Sequence, residues 1–305
     1  MSHAFRGVIP PVITPLTPDG DLDRPSLERL VGRLLEAGVD GVFALGSSGE
    51  VAFFDDDLRA RVLDAVTGIV AGSVPVLAGV IDMQTQRVIQ HVRAAEKAGV
   101  DGLVATAPFY AITGPHEIRT HFEALGAAAS VPVFAYDLPV CVHVKLAGEM
   151  LVELGSAGVI AGVKDSSGDD VAFRRLAMMN RAAGEPLALF TGHEVVVDGA
   201  YLAGAHGCVP GLGNVDPHGY VRMQRAADAG AWEAVRTEQD RLAALFEIVF
   251  APVGKVGPAA GVGAFKSALQ LLGVIESNTM SLPMPTQDDT DREAIRPILA
   301  EAGLL

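Results

Sequence analysis

Two turns of the same sequence, Ala37-Gly38-Val39-Asp40-Gly41 and Ala98-Gly99-Val100-Asp101-Gly102, recur in this chain, and Ala203-Gly204-Ala205-His206-Gly207 is a looser third copy. In each copy an amphipathic segment reaches a glycine, the residue that most often ends a helix. A short apolar segment follows each time, so the turn joins a helix to a buried strand. The recurrence predicts an internal structural repeat of helix and strand.

Eight short apolar segments alternate with longer amphipathic ones along the chain. They follow one another at intervals of roughly 20–35 residues, which is typical of parallel strands joined by helices. Because they are apolar nearly throughout rather than at every second residue, both faces of the sheet are expected to be buried. The predicted strands are 8–15, 41–46, 75–80, 102–108, 131–139, 159–166, 187–192 and 207–212.

This pattern predicts an α/β protein with a (β/α)8 TIM barrel over residues 1–228. The alternative is an open doubly wound sheet, which usually carries a glycine-rich dinucleotide fingerprint after its first strand, and this sequence has none there. Residues 229–305 are predicted to be a C-terminal helical segment. Its apolar residues need a partner surface, which is either the barrel or another subunit. The helices predicted with these elements are 26–38, 55–71, 85–99, 262–272, 289–302 and a pair within 220–250.

Composition excludes several classes of function. The chain has 305 residues, 50% of them hydrophobic, which is enough for a large core, and its formal net charge is −14. Such an acidic protein repels nucleic acid and anionic membranes. The two cysteines, Cys141 and Cys208, have no metal-ligand spacing, so we expect reduced thiols and no structural zinc. The first residues lack a signal-peptide pattern and no apolar run is long enough for a bilayer, so we expect a soluble, cytoplasmic protein.

One predicted strand ends in a lysine, in the segment Val159-Ile160-Ala161-Gly162-Val163-Lys164-Asp165-Ser166-Ser167-Gly168. The carboxyl ends of barrel strands are where barrel enzymes place their chemistry. A lysine in an apolar wall loses solvation as an ammonium, which makes the neutral, nucleophilic amine accessible. The structural alternative is a strand-end lysine that is solvated or paired with Asp165.

Hydroxyl groups end three other predicted strands. Ser47 and Ser48 lie between glycines after the second strand, where their O–H and backbone N–H groups can bind a carboxylate. Tyr136 ends the fifth strand, next to the strand of Lys164, where a phenol can act as general acid and base. Tyr110 follows the fourth strand and supplies a second phenol. Taken singly, each is as typical of an ordinary turn or core residue as of a catalytic one.

As an ordered set, these segments resemble the dihydrodipicolinate synthase / N-acetylneuraminate lyase family of class I, pyruvate-type aldolases. The resemblance covers nearly the whole chain, from the opening Gly7-Val8-Ile9-Pro10-Pro11 to the C-terminal helices. The segments that carry it are Gly46-Ser47-Ser48-Gly49-Glu50, Pro108-Phe109-Tyr110, Tyr136-Asp137-Leu138-Pro139 and Gly162-Val163-Lys164-Asp165-Ser166-Ser167-Gly168-Asp169.

The resemblance implies a catalytic role for four residues. Lys164 would form a Schiff base with the keto carbon of pyruvate or of another 2-oxo acid, and the protonated imine would act as an electron sink. Tyr136 would be the acid/base residue. Tyr110 would reach across a dimer interface and complete a hydroxyl relay with Ser47 and Tyr136.

It also implies the contacts to the substrate. Ser47 and Ser48 would hold the carboxylate, while Gly192 and Val209 would line the pyruvate pocket through their backbone groups. The partners would be a small 2-oxo acid and an aldehyde, without metal or organic cofactor. The family resemblance further implies a homo-oligomer, a tetramer built as a dimer of dimers.

The chain departs from the synthase pattern after Tyr136. Cys141 stands where dihydrodipicolinate synthases usually have an arginine that grips the aldehyde's carboxylate, and a thiol cannot make that bidentate contact. His143, in the same loop, is a candidate contact to the distal end of the substrate; the alternative is a capping or surface histidine.

Three functions therefore remain open from the sequence. The first is a lyase for a 2-oxo-3-deoxy sugar acid or a related 2-oxo acid. The second is 4-hydroxy-tetrahydrodipicolinate synthase, which condenses pyruvate with aspartate semialdehyde. The third is a non-catalytic barrel that binds a phosphorylated metabolite at the glycine-rich stretch 207–213, although Pro210 removes one amide donor there.

Overall fold

The computed structural model describes residues 5–305. Within them, eight strands form one parallel sheet: β1 (Gly7–Val8), β2 (Val42–Ala44), β3 (Val76–Gly79), β4 (Gly102–Thr106), β5 (Val133–Asp137), β6 (Gly162–Asp165), β7 (Ala188–Thr191) and β8 (Gly207–Cys208). Their order is β1-β8-β7-β6-β5-β4-β3-β2. A parallel bridge between Pro11 and Phe43 joins the chain after β1 to β2. The sheet therefore closes on itself, and the predicted (β/α)8 barrel is confirmed.

The first and last strands are shorter than predicted. β1 and β8 have two residues each, against predictions of 8–15 and 207–212. Pro10 and Pro11 follow β1 and Pro210 follows β8. Proline has no N–H to give to a neighbouring strand, so a regular ladder stops where prolines begin. The chain beyond β1 still pairs through single bonds, such as Val12 N to Phe43 O at 2.8 Å.

Helices follow the strands. They are α1 (Arg24–Ala37), α2 (Asp56–Val70), α3 (Thr85–Lys97), α4 (Pro115–Ala128), α5 (Pro139–Val142), α6 (Gly148–Ser156), α7 (Asp170–Ala182), α8 (Val197–Ala203), α9 (Pro217–Asp228), α10 (Trp232–Phe246), α11 (Pro258–Leu271) and α12 (Asp289–Glu301). α5 is a single turn. The predicted pair within 220–250 is confirmed as α9 and α10, which are separated at Gly230, where φ is +70°.

The recurring turn has the same structure in all three copies: a glycine ends a helix, and a side chain then accepts a backbone hydrogen bond. Its glycine has a left-handed φ, +83° at Gly38, for example, which ends the helix. Its aspartate then accepts a hydrogen bond from the backbone of a neighbouring strand: Val8 N of β1 donates to Asp40 and Val76 N of β3 to Asp101, both at 2.8 Å. In the looser third copy, His206 Nδ1 takes this place and accepts from Leu189 N at 3.0 Å.

The C-terminal helices pack on the barrel. One continuous hydrophobic cluster contains the strands and also Val262 and Leu269 of α11 and Ile295 and Leu299 of α12. α11 begins at Pro258, four residues before the predicted start, since proline fits the first turn of a helix. Among residues 5–305, no helix is long and apolar enough to cross a membrane.

Candidate active site

Lys164 lies inside the barrel. It is 6% exposed, on β6, in register with Tyr136 of β5. Its Nζ is 4.0 Å from the centroid of the Tyr136 ring and 5.0 Å from that of Phe43 on β2. Water is largely excluded from the amine, and two aromatic faces lie close to it. The amine therefore lies in the barrel interior on β6, towards the end of the barrel where barrel enzymes place their chemistry.

Asp165 does not pair with Lys164. Its carboxylate receives Lys145 Nζ at 3.2 Å, and the same ammonium also pairs with the buried carboxylate of Asp137. Successive side chains of a strand point to opposite faces, so both aspartates lie on the other side of the sheet from Tyr136 and Lys164. The ion-pair cluster therefore fixes the ends of β5 and β6 from outside, and it leaves the Lys164 amine unpaired with Asp165.

The serine turn faces the phenol of Tyr136. Ser47 Oγ lies 3.5 Å from Tyr136 OH, at the long limit of a hydrogen bond. Ser48 Oγ is 3.2 Å from the place that a Cβ on Gly211, beyond β8, would occupy. The structure thus brings Ser47, Ser48, Tyr136 and Lys164 to the carboxyl end of the barrel.

Gly192 lies where no larger residue fits. A Cβ built on it would be 2.1 Å from Ser166 Oγ and 3.3 Å from Lys164 Cε. Its N–H donates to Asp165 O at 2.7 Å, which continues the β6–β7 ladder beyond the strands. Val209 is 4% exposed and its N–H donates to Thr191 O at 2.8 Å. Both predicted backbone positions therefore lie on neighbouring strand ends, and Gly192 lies directly against the lysine side chain.

Tyr110 and His143 are placed differently. Tyr110 is 90% exposed with φ of +76°, and His143 is exposed with φ of +60°. They line one small surface pocket together with Ile112 and Val144, among others. In the single chain the phenol of Tyr110 is therefore exposed and not buried beside Lys164, in contrast to Tyr136.

Sequence reasoning missed Glu194, which belongs to this site. Its Oε1 accepts the N–H of Leu212 at 2.5 Å and lies 3.5 Å from the position of a Cβ on Gly211. Burial raises its pKa to about 7, although the backbone amide of Leu212 and the charge of Lys164 act in the opposite direction. The signal that was available is its position two residues after Gly192, at the carboxyl end of β7.

The site contains no candidate metal centre. Among the described residues 5–305, no group of three or more histidine, cysteine, aspartate or glutamate side chains is arranged to hold a metal ion. Both cysteines are free; Cys141 is exposed on α5 and Cys208 is buried.

Known proteins resemble the chain over its whole length. The model of the dihydrodipicolinate synthetase family matches residues 4–302. A 4-hydroxy-tetrahydrodipicolinate synthase of Phenylobacterium zucineum is 29% identical, covering 99% of this chain and 98% of that protein. An uncharacterized DapA-like lyase of Halobacterium salinarum is 34% identical, covering 99% and 95%.

Solved structures agree. A prophage protein of the dihydrodipicolinic acid synthase family from E. coli K12, solved in complex with pyruvate, superposes with a TM-score of 0.93 at 26% identity, covering 99% of both chains. Dihydrodipicolinate synthase from Thermotoga maritima has a TM-score of 0.91 at 27% identity, covering 99% of this chain and 100% of that one.

Proposed function

The chain belongs to the dihydrodipicolinate synthetase family, whose members are pyruvate-dependent lyases, and on this premise we propose that its reaction proceeds through an imine between pyruvate and Lys164. The predicted enzyme class, a pyruvate-type aldolase or lyase, is confirmed by this membership. The observation that carries the proposal is the Lys164 amine, 6% exposed and lying over the ring of Tyr136 at 4.0 Å.

The chemistry follows from these neighbours. The neutral amine of Lys164 attacks the keto carbon of the 2-oxo acid, and the carbonyl oxygen leaves as water when the imine forms. The protonated imine takes up the electron pair of the carbon–carbon bond that breaks and becomes an enamine. In the forming direction the imine first loses a proton from the adjacent carbon, and the resulting enamine supplies the pair for the new bond. Tyr136 transfers the proton between substrate and solvent with Ser47, 3.5 Å from its hydroxyl, as the next group of the relay. Neither step requires a metal or an organic cofactor.

The carboxylate of the 2-oxo acid is held by the serine turn. Ser47 offers a hydroxyl donor beside the phenol of Tyr136, and Ser48 offers one beside Gly211. The turn after β8 is less suited to an anion, because Glu194 already accepts its Leu212 amide and brings a carboxylate to the same place. A phosphate there would meet a like charge when Glu194 is ionised. This arrangement favours catalysis on a 2-oxo acid over the phosphometabolite-binding alternative.

For the aldehyde, we favour a product of 2-oxo-3-deoxy sugar acid cleavage. Cys141, at the position of the synthase arginine, is exposed on α5 and cannot make a bidentate contact with a second carboxylate. Glu194 and His143 can accept or share hydrogen bonds with sugar hydroxyls instead. The second candidate is 4-hydroxy-tetrahydrodipicolinate synthase, which is favoured by the names of several relatives.

We also propose a homo-oligomer in a reducing, cytoplasmic compartment. Tyr110, Ile112 and Val140 are 90%, 97% and 79% exposed, and an apolar rim of this kind is stabilised when a second copy of the chain covers it. A covering subunit would remove the phenol of Tyr110 from solvent, and Tyr110 would reach across the interface toward the serine turn of that second subunit. The free, exposed Cys141 fits a compartment that keeps thiols reduced.

The decisive experiment is reduction of the imine. Borohydride added with pyruvate should leave a three-carbon adduct on Lys164, located by intact mass and peptide mapping, and Lys164→Ala should remain unlabelled. Folded wild-type protein without an adduct would refute the proposal. Pyruvate release from a panel of 2-oxo-3-deoxy acids, set against condensation of pyruvate with aspartate semialdehyde, then separates the two candidate reactions.

A further inference from the structure

Glu50 closes the turn that carries Ser47 and Ser48. Its N–H donates to Ser47 O at 3.1 Å, and its φ of +60° is in the left-handed region that residues with a Cβ usually avoid. Ser47 is exposed, whereas the side chain of Glu50 is fully buried on the other side of the turn. The turn is therefore anchored in the interior through the side chain of its last residue.

The anchor is a lysine of the C-terminal helices. Lys266 of α11, itself fully buried, forms an ion pair with the carboxylate of Glu50. Its Nζ also donates to Thr279 O at 2.7 Å, and Ser281 N donates to Glu50 Oε2 at 2.7 Å. The Glu50 carboxylate thus joins the loop after β2 both to α11 and to the segment 272–288 that follows it.

A buried ion pair of this kind fixes geometry more than it adds stability. Burial lowers the pKa of Lys266, and the charge of Glu50 opposes that change. Removing two charges from water offsets most of their attraction, so an apolar pair of the same shape is often equally stable. Apolar contacts are non-directional, whereas charge-assisted hydrogen bonds set distance and direction. What the pair determines is the position of the serine turn.

The neighbouring residue of α11 supports the opposite side of the pocket. Phe265 packs against Gly211, where an added Cβ would lie 2.8 Å from Phe265 Cε2 and 3.2 Å from Ser48 Oγ. Consecutive residues of one helix therefore contact the turn after β2 and the turn after β8. The helix sets the spacing between these two turns.

We propose that Lys266 and Glu50 are positioning residues, which hold Ser47 and Ser48 at the spacing needed to bind the carboxylate of the 2-oxo acid. This inference rests on the proposed function, because it takes the two serines as the carboxylate contacts. Neither residue of the pair belongs to the contact between Lys164 and Tyr136. Loss of the pair should therefore weaken pyruvate binding while the chemistry at saturating pyruvate continues.

The test is the double variant Lys266→Met with Glu50→Gln, which removes both charges, keeps similar shapes and leaves no buried charge without its partner. We expect the KM for pyruvate to rise about tenfold or more and kcat to stay within about threefold of wild type. Glu50→Gln alone keeps an oxygen for the Ser281 amide and should raise KM about threefold. This single variant leaves Lys266 without its counter-ion, but burial already lowers the pKa of that lysine and favours its neutral form, so the variant provides the same comparison where the double variant does not fold.

The matched control is a second ion pair of the C-terminal segment. Lys255 Nζ lies 3.1 Å from Asp291 Oδ2, and joins the loop before α11 to α12 without touching the serine turn. Lys255→Met with Asp291→Asn removes the two charges in the same way and should leave the KM for pyruvate unchanged, whether or not the melting temperature falls. A KM within twofold of wild type in the Lys266 and Glu50 variants would overturn the inference.

Borohydride trapping distinguishes failure of the positioning role from failure of the proposed function. At saturating pyruvate the double variant should carry the adduct on Lys164 as the wild type does. Normal trapping with an unchanged KM overturns the positioning role alone. Absence of trapping in the wild type overturns the proposed function, and this inference with it.

Discussion

The hydroxyl of Tyr136 can be removed while the aromatic ring that contacts Lys164 is kept. Tyr136→Phe keeps the aromatic face, 4.0 Å from Lys164 Nζ, and deletes only the hydroxyl that faces Ser47. Packing in the barrel and the surroundings of the amine should therefore persist. What is lost is the group proposed to move the proton during carbon–carbon bond cleavage.

The expected effects on rate and on stability differ widely. One general acid/base group contributes about 10²–10⁴-fold to a rate, which corresponds to about 2.7–5.4 kcal/mol of transition-state stabilisation. The hydrogen bond to Ser47 is 3.5 Å long, so its loss should lower the free energy of unfolding by less than about 1 kcal/mol. A loss of that size should lower the melting temperature by a few degrees at most.

The assay is pyruvate release from the best substrate of the 2-oxo-3-deoxy acid panel, together with thermal unfolding. Tyr201→Phe is the matched control, because it removes a buried phenol that contacts Cys208 Sγ at 3.4 Å. We expect kcat to fall at least a hundredfold in Tyr136→Phe and to stay near wild type in Tyr201→Phe. A Tyr136→Phe enzyme within about threefold of wild-type kcat would refute the assigned role of the phenol.

Three further predictions concern the surroundings of the site. Burial raises the pKa of Glu194 to about 7 from its ordinary value of 4.5, so the stability that its protonated form contributes is fully present below pH 4.5 and is lost as pH rises through 7. The free energy of unfolding of Glu194→Gln, relative to that of wild type, should therefore rise by about 1–3 kcal/mol when the pH is raised from about 4.5 to about 8 in denaturant titrations. An equal difference between variant and wild type at the two pH values would contradict this. His143→Ala should lower kcat/KM about 3–10-fold for aldehydes with a distal polar group and leave short aldehydes unaffected, and a uniform effect would exclude the contact. Lys145→Met leaves Asp137 and Asp165 without their shared cation, and should lower the free energy of unfolding by about 2–4 kcal/mol at neutral pH. The same variant with Asp137→Asn should recover part of that loss, and a loss below about 0.5 kcal/mol in Lys145→Met would show that the cluster is not structural.

The barrel was predictable because its signals are local. Each signal occupies only a few consecutive residues. Ala37–Gly41 and Ala98–Gly102, for example, contain both the glycine that ends a helix and the aspartate that precedes a strand. The hydrogen bonds that these aspartates accept explain why the turn recurs with its sequence intact. The short β1 and β8 were overestimated, since apolar residues continue past the point where Pro10 and Pro210 end the ladder.

Lys164, Tyr136 and the serine turn were predicted as candidates because each ends a strand, and strand ends meet at one face of a parallel barrel. Their separations depend on strand register, which fixes Tyr136 beside Lys164 but is not readable from either segment alone. Glu194 was missed because its pKa is raised by burial, and its contact with the Leu212 amide, 18 residues away along the chain, forms only in the folded state.

By itself the sequence determined the alternation of strands and helices, the enzyme family and the amine that carries the proposed chemistry, because periodicity and motif order are properties of neighbouring residues. The tertiary structure decided which charges meet. It paired Asp165 with Lys145 rather than with Lys164, and it joined Glu50 to Lys266 across most of the length of the chain. The physical reason is that the partner of a buried charge is selected by desolvation and by distance in the folded state, and neither quantity exists in the chain before it folds.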